Sequence, residues 1–308
     1  MVSYAVEAHD IGLSYKSTIA LDGVDLQVPR GSTLGVLGHN GAGKTSLIRV
    51  LTTSLRADRG RVSVDGIDVD EHPALVRRSI GVTGQYAGLD EFLTTVENLE
   101  LMARLSGLRQ DARARVTDLV ERFDLHPIAS RRVGELSGGS RRRVDLAASV
   151  VALPKVLFLD EPTTGLDPAA RQTVWDVVSE LTAAGTTVVL TTQYLEEADR
   201  LADQLVILSS GRVVARGAPN ELKRLVGGKV VKATVALDRV DTLTLRPVTS
   251  APSGDTRTTL AFSVADDEAA AELIAHLHAY TSDVTDLEVA SPSLDDVFLH
   301  LTRTGAAA

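Results

Sequence analysis

The chain has 308 residues, 44% of them hydrophobic and 24% charged, with a formal net charge of −9 and no cysteine. Its length sits near the point where one core divides into two, and its globular composition excludes collagen-like, low-complexity and fully disordered readings. The absence of cysteine removes zinc–thiolate sites, iron–sulfur clusters, disulfide frameworks and thiol nucleophiles together, while the acidic balance argues against a general nucleic-acid binder.

The amino-terminal stretch MVSYAVEAHDIGLSY has no basic flank leading into an apolar run, so no signal peptide is expected. No run in the chain approaches the roughly 18 apolar residues of a membrane helix. Up to about residue 217 short β-branched runs alternate with amphipathic helical stretches. Gly35-Val36-Leu37 leads into a glycine-rich segment and then a helix. Val156 to Leu159 is apolar without alternation, as a strand buried on both faces should be. From Arg171, the residues Val174, Val177, Val178 and Leu181 fall on one helix face; Gly185 ends that helix, and Thr186 to Thr191 is the next strand. Helices crossing between buried strands predict an α/β domain with a parallel sheet over 1–227.

From about residue 228 the pattern changes. Lys229 to Leu237, Thr242 to Val248 and Thr258 to Val264 alternate as half-exposed strands. Ala270, Leu273, Ile274 and Leu277 mark one helix, Val284 to Val289 a short strand, and Ser293 the start of a last helix. Ser293-Leu294-Asp295-Asp296 has capping-box spacing with Asp in place of Glu. A small α+β domain over 228–308 is expected. His276 and His278, two apart on a helix, point to nearly opposite sides and cannot chelate one metal.

Three segments carry chemistry. Gly38-His39-Asn40-Gly41-Ala42-Gly43-Lys44-Thr45, followed by Ser46, matches the phosphate-binding pattern G-x-x-x-x-G-K-[ST] between strand and helix. Its glycines let backbone N–H groups turn inward around phosphate oxygens, at a helix end whose dipole favours anions. Lys44 is then placed for the β- and γ-phosphates and Thr45 for Mg²⁺. Asp160 and Glu161 follow the run Val156 to Leu159, at the carboxyl end of a buried strand, where open α/β sheets bind ligands. Asp160 suits Mg²⁺ through water, and Glu161 suits the orientation or deprotonation of an attacking water. Leu136-Ser137-Gly138-Gly139 opens an Ala-rich helix and makes a second anion site. One nucleotide does not need two such helix ends from one chain, so the second would close over a nucleotide held by another copy.

With these three motifs the chain resembles the ATP-binding cassette (ABC) ATPases. The resemblance implies a P-loop-type sheet with a helical subdomain at about 88–150. It places Tyr15 where an aromatic ring stacks on adenine, the alternative being a tyrosine packed at a strand end. It places Gln85 as a Mg²⁺-touching, partner-sensing residue, and Gly165-Leu166-Asp167 as a dimer-contact loop. Two copies would pack head to tail around two ATP molecules, Lys44 of one copy facing Ser137, Gly138, Gly139 and Asp167 of the other. The family's usual switch histidine is Gln193 here, which can donate a hydrogen bond to the γ-phosphate but carries no charge and relays no proton. Ser140, after the signature glycines, replaces a more usual Gln.

Thr191-Thr192-Gln193-Tyr194-Leu195-Glu196-Glu197-Ala198-Asp199 and Ser293-Leu294-Asp295-Asp296-Val297-Phe298-Leu299 are similar to the daunorubicin/doxorubicin-resistance branch of that family. This implies a Mg²⁺-dependent ATPase, catalysed by Lys44, Glu161 and Gln193. It would act as a homodimer at the cytoplasmic face of the cell membrane, driving a separate six-helix, ABC-2-like permease that exports a drug or lipid. Leu89 to Leu105 lies where the permease docks, although the same residues suit a helical core. The run Arg141-Arg142-Arg143 is expected to be ion-paired or solvated, and no nucleic-acid partner is expected. The alternative is a soluble or regulatory ABC-type ATPase with weak hydrolysis and no permease partner, motivated by Gln193.

Overall fold

The computed structural model describes residues 3–84, 88–108, 111–225, 228–236, 247, 249–253, 257–280, 284–297 and 299. The chain forms two compact units that part between Val214 and Ala215, within the strand Arg212–Gly217, whereas the sequence places the boundary at 227/228.

The first unit holds two sheets. One is antiparallel, in the order Thr18–Pro29, Tyr4–Tyr15, Arg59–Val64, Ile67–Asp68. The other has six strands in the order Arg212–Gly217, Gln204–Ser209, Thr33–Leu37, Thr187–Thr192, Val156–Asp160, Ile80–Thr83. Its five strands from Gln204–Ser209 to Ile80–Thr83 pair in parallel. The last strand is added by a two-residue hairpin, Ser210 at φ 47° and Gly211 at φ 78°, the backbone of a type I′ turn.

The strands Val156–Asp160 and Thr187–Thr192 each feed two cores, which explains their unbroken apolar runs. Leu157 and Leu159 face a core with Leu119, Phe123, Val144 and Val178. Val156 and Phe158 face another, with Leu47, Ile11, Leu26 and Val62, where the antiparallel sheet and the helix Lys44–Leu51 pack. Burying both faces of a strand requires helices or a second sheet on each side.

The second unit is a four-stranded antiparallel sheet in the order Thr249–Pro252, Arg257–Val264, Lys229–Ala236, Thr285–Ala290. The helix Asp267–Tyr280 covers one face through Ala270, Leu273 and Leu277, against Val231, Ala233, Leu260 and Phe262. The expected strand Thr242 to Val248 lies almost wholly outside the described residues, as do Phe298 and the side chain of His278. The Ser293 cap forms as the spacing predicts: Asp296 N–H donates to Ser293 Oγ at 3.2 Å, and Ser293 N–H donates to Asp296 Oδ2 at 2.9 Å. Among the described residues no helix is long and apolar enough to cross a membrane.

Candidate functional site

Parallel pairing brings the motifs together. Leu37 lies opposite Thr192, Asp160 opposite Thr191, and Thr83 opposite Leu159, so four neighbouring strands end level along one carboxyl edge. The glycine loop leaves the first, Gln193 the second, Glu161 the third and Gly84 the fourth. Gln85 lies outside the described residues.

The loop from Gly38 to Thr45 requires its glycines. A Cβ on Gly38 would stand 2.5 Å from the Leu208 carbonyl oxygen. Gly43 has φ 108°, and a Cβ there would meet Ala20 O at 2.5 Å. Gly43 is also the N-cap of the helix Lys44–Leu51, and no side chain caps that end. The first-turn N–H groups are therefore free of a side-chain acceptor, as an anion site at a helix start needs. His39, Asn40 and Gly41 are exposed, Gly38 and Ala42 are buried, and Thr45 and Ser46 are half-buried. His39 Nδ1 contacts Asn40 O at 2.7 Å. Tyr15 is 41% exposed, and its hydroxyl accepts from Ser46 Oγ at 3.4 Å, so its ring stands beside the first turn of this helix.

Lys44 is buried, with all three ammonium protons engaged. Nζ donates to Gly38 O at 2.8 Å and His39 O at 3.2 Å, and lies 3.2 Å from Glu161 Oε1. A phosphate reaching Lys44 exchanges these contacts rather than adding to them. Thr164 Oγ1 donates to Glu161 Oε2 at 3.2 Å.

Asp160 is 4% exposed and accepts from Thr191 Oγ1 at 2.6 Å. The same hydroxyl oxygen accepts from Glu161 N–H at 3.0 Å. Thr191 thus ties both acids to the neighbouring strand, a role its β-branched place in TTVVLTT conceals. Asp160 and Thr45 line one cavity of about 240 Å³ with Thr83 and Gly84. Among the described residues no cluster of three or more His, Asp or Glu offers a metal cage. One hydroxyl and one carboxylate beside a phosphate loop do fit Mg²⁺, which takes few protein oxygens and fills its remaining positions with water and phosphate.

Ser137 caps the helix Gly138–Ser149, its Oγ accepting from Ser140 N–H at 3.3 Å. A Cβ on Gly139 would press on Ala170 Cβ at 3.1 Å, whereas Gly138 faces open space. Gly138, Glu161 and Gly165 line a second cavity, of about 500 Å³. Asp167 caps the helix Pro168–Ala183, accepting from Ala170 N–H at 2.9 Å. Gln193 is half-buried just past the strand Thr187–Thr192.

The arginine run is ion-paired. Arg141 meets Glu91 at 3.1 Å, Arg142 meets Asp145 at 3.1 Å, and Arg143 meets Asp124 at 3.5 Å. Nothing in R-R-R distinguishes Arg142, whose hydrogen bonds run to the carboxyl edge. The segment from Leu89 to Leu105 divides its residues. Leu99 is fully buried in the helical core, while Phe92 is 84% exposed and Leu105 and Leu101 are exposed too.

Comparison with known proteins supplies the context for this geometry. The family description "ABC transporter" matches residues 21–164, and "ATP-binding protein DrrA1-3-like, C-terminal domain" matches residues 217–302. The chain is 47% identical over 309 residues to the daunorubicin resistance ATP-binding protein DrrA2 of Streptomyces coeruleorubidus, covering 98% of this chain and 96% of that one. A solved ATP-binding subunit of an ABC transporter superposes with a TM-score of 0.66 at 30% identity, over 72% of this chain and 92% of that one. A bacterial ABC transporter cassette solved as a dimer gives a TM-score of 0.64 at 25% identity, over 69% and 98%.

Proposed function

We propose, from the premise that this chain belongs to the ATP-binding proteins of the ABC transporter family and is an ATPase of that family, that it powers an exporter of a hydrophobic drug or lipid. It works as a homodimer, peripheral at the cytoplasmic face of the membrane, against a separate ABC-2-like permease. The observation that carries this reading is the meeting of Lys44 with Glu161 at 3.2 Å on the sheet's carboxyl edge, beside a second capped helix start at Ser137. The printed name of the relative, a daunorubicin resistance protein, supports export of a drug. The dimeric cassette of similar fold supports the pairing of two copies.

The chain's own residues then act in sequence. The loop N–H groups and Lys44 take the phosphates of ATP, and Tyr15 offers its ring to adenine. Lys44 leaves Glu161 as it turns to phosphate, which frees the carboxylate to orient and deprotonate water. Thr45 and Asp160 would hold Mg²⁺, which would supply charge to offset that gathered at the phosphates. Gln193 donates a hydrogen bond to the γ-phosphate from the neighbouring strand end. Ser137, Gly138 and Gly139 close over the nucleotide of the other copy. Hydrolysis reopens the pair, and the movement reaches the permease through the Gln85 region.

The test is a tagged pull-down from detergent-solubilised native membranes. A stoichiometric multi-spanning protein is the expected partner. Recovery of soluble partners only, with ATP binding intact, would overturn the exporter reading in favour of a regulatory ATPase, the alternative that Gln193 motivates.

A further inference from the structure

Of the three consecutive arginines on the helix Gly138–Ser149, Arg142 is the most buried, its side chain 14% exposed. Its guanidinium makes five hydrogen bonds. Nε donates to Pro162 O at 2.8 Å, and Nη1 donates to Gly84 O at 2.7 Å and to Asp145 Oδ2 at 3.1 Å. Nη2 donates to Asp160 O at 3.3 Å and to Thr83 Oγ1 at 3.4 Å. Two of the acceptors, the carbonyls of Asp160 and Pro162, are those of the residues on either side of Glu161.

Glu161 has φ 49°, in the left-handed region that a residue with a Cβ enters only when its surroundings impose it. Thr191 takes its N–H from one side, through O at 3.1 Å and Oγ1 at 3.0 Å. Arg142 takes the flanking carbonyls from the other. The same fork holds Gly84, the residue before Gln85, and rides on the helix whose cap is Ser137. A planar guanidinium can reach carbonyls in different directions at once, which an ammonium at the end of a flexible stem cannot. Burying a cation is costly, and this one spends four of its five hydrogen bonds on uncharged oxygens, more than a plain tie to Asp145 along the helix would need.

We propose that Arg142 is a positioning residue for ATP hydrolysis: it holds the strained backbone of Glu161 in the conformation that aims its carboxylate, and it joins that backbone to Gly84 and to the helix that begins at Ser137. The inference rests on the reading of Glu161 as the base. Arg142 touches no reacting atom; it acts through Glu161.

The test is a cycle of four purified full-length proteins: wild type, Arg142→Lys, Glu161→Gln and the double variant, compared by single-turnover ATP hydrolysis and by ATP affinity. Arg142→Lys should lower the hydrolysis rate about 10- to 100-fold, since small misplacements of a reacting group have effects of that size, while ATP affinity stays within about threefold. In the Glu161→Gln background the same change should cost less than about twofold, because its route of action has been removed. Arg142→Lys with full activity, or with an equal loss in both backgrounds, would overturn the positioning role and leave the base assignment standing. Full activity of Glu161→Gln alone would overturn the base assignment, and this inference with it. Removing the cation leaves Asp145 buried beside it, so Arg142→Met/Asp145→Asn removes both charges together. A soluble, ATP-binding double variant with a similarly slowed rate separates misplacement from misfolding, and one with the wild-type rate overturns the proposal.

Discussion

Glu161 joins a strained backbone to an ion pair that phosphate must displace. Its left-handed backbone stores about 1–3 kcal/mol, and its carboxylate stands 3.2 Å from Lys44. Replacing it by Gln keeps the side-chain shape and the acceptor for Thr164 but removes the charge that competes with phosphate for Lys44. Glu161→Gln should therefore bind Mg·ATP at least as tightly as the wild type. Turnover should fall about 10²- to 10⁴-fold, the range of general acid–base catalysis. With ATP it should accumulate as a closed dimer on gel filtration; rapid turnover by this variant would remove Glu161 from the base role. At this scale the identities of Lys44, Asp160 and Glu161 were legible from local motifs. Thr191 and Arg142 were not: each lies in a string that stands out in the sequence, but their partners are strand ends far away in the chain, which neither string specifies.

The helix Gly138–Ser149 is the element whose charge is set by its place in the fold. Burial pushes the Asp145 carboxyl up to about 6, against the downward pull of the Arg142 guanidinium and the Gly88 N–H. The folded state thus holds this proton more tightly than the unfolded chain, whose carboxyl has the ordinary value of 3.8. Stability from this group is then greatest at low pH and falls as pH rises from about 4 to about 6, by roughly 3 kcal/mol in all. Asp145→Asn carries no such charge, so its melting temperature relative to wild type should rise between pH 4 and pH 7. A pH-independent difference would show that Asp145 titrates as an ordinary carboxylate. The neighbouring helix Thr95–Leu105 shows what periodicity reads well. Its capping box closes as Glu97 N–H donates to Thr94 Oγ1 at 3.2 Å and Thr94 N–H donates to Glu97 Oε2 at 2.8 Å. Leu99 enters the core as its apolar character demands, but the sequence does not separate it from Phe92, just outside the helix.

Each of the two units has a core of its own, and the first leaves Phe92 84% exposed. A large aromatic at that exposure has little folding role, which makes Phe92 the candidate contact for the proposed permease. Phe92→Asp should leave the melting temperature and ATPase rate of the isolated protein unchanged and remove the multi-spanning partner from the membrane pull-down. Recovery of that partner at wild-type yield would place docking elsewhere. The sequence by itself determined the α/β class, the phosphate loop, the acidic strand end, the signature helix and the cap at Ser293, because each is local: a run of apolar residues, a glycine spacing or a cap written within a few positions. Only the tertiary structure decided that four strand ends stand level, that Lys44 pairs with Glu161, and that Arg142 straddles it. Those follow from parallel register and burial, which join residues as far apart as Thr83, Arg142 and Thr191 and leave no local mark on the chain.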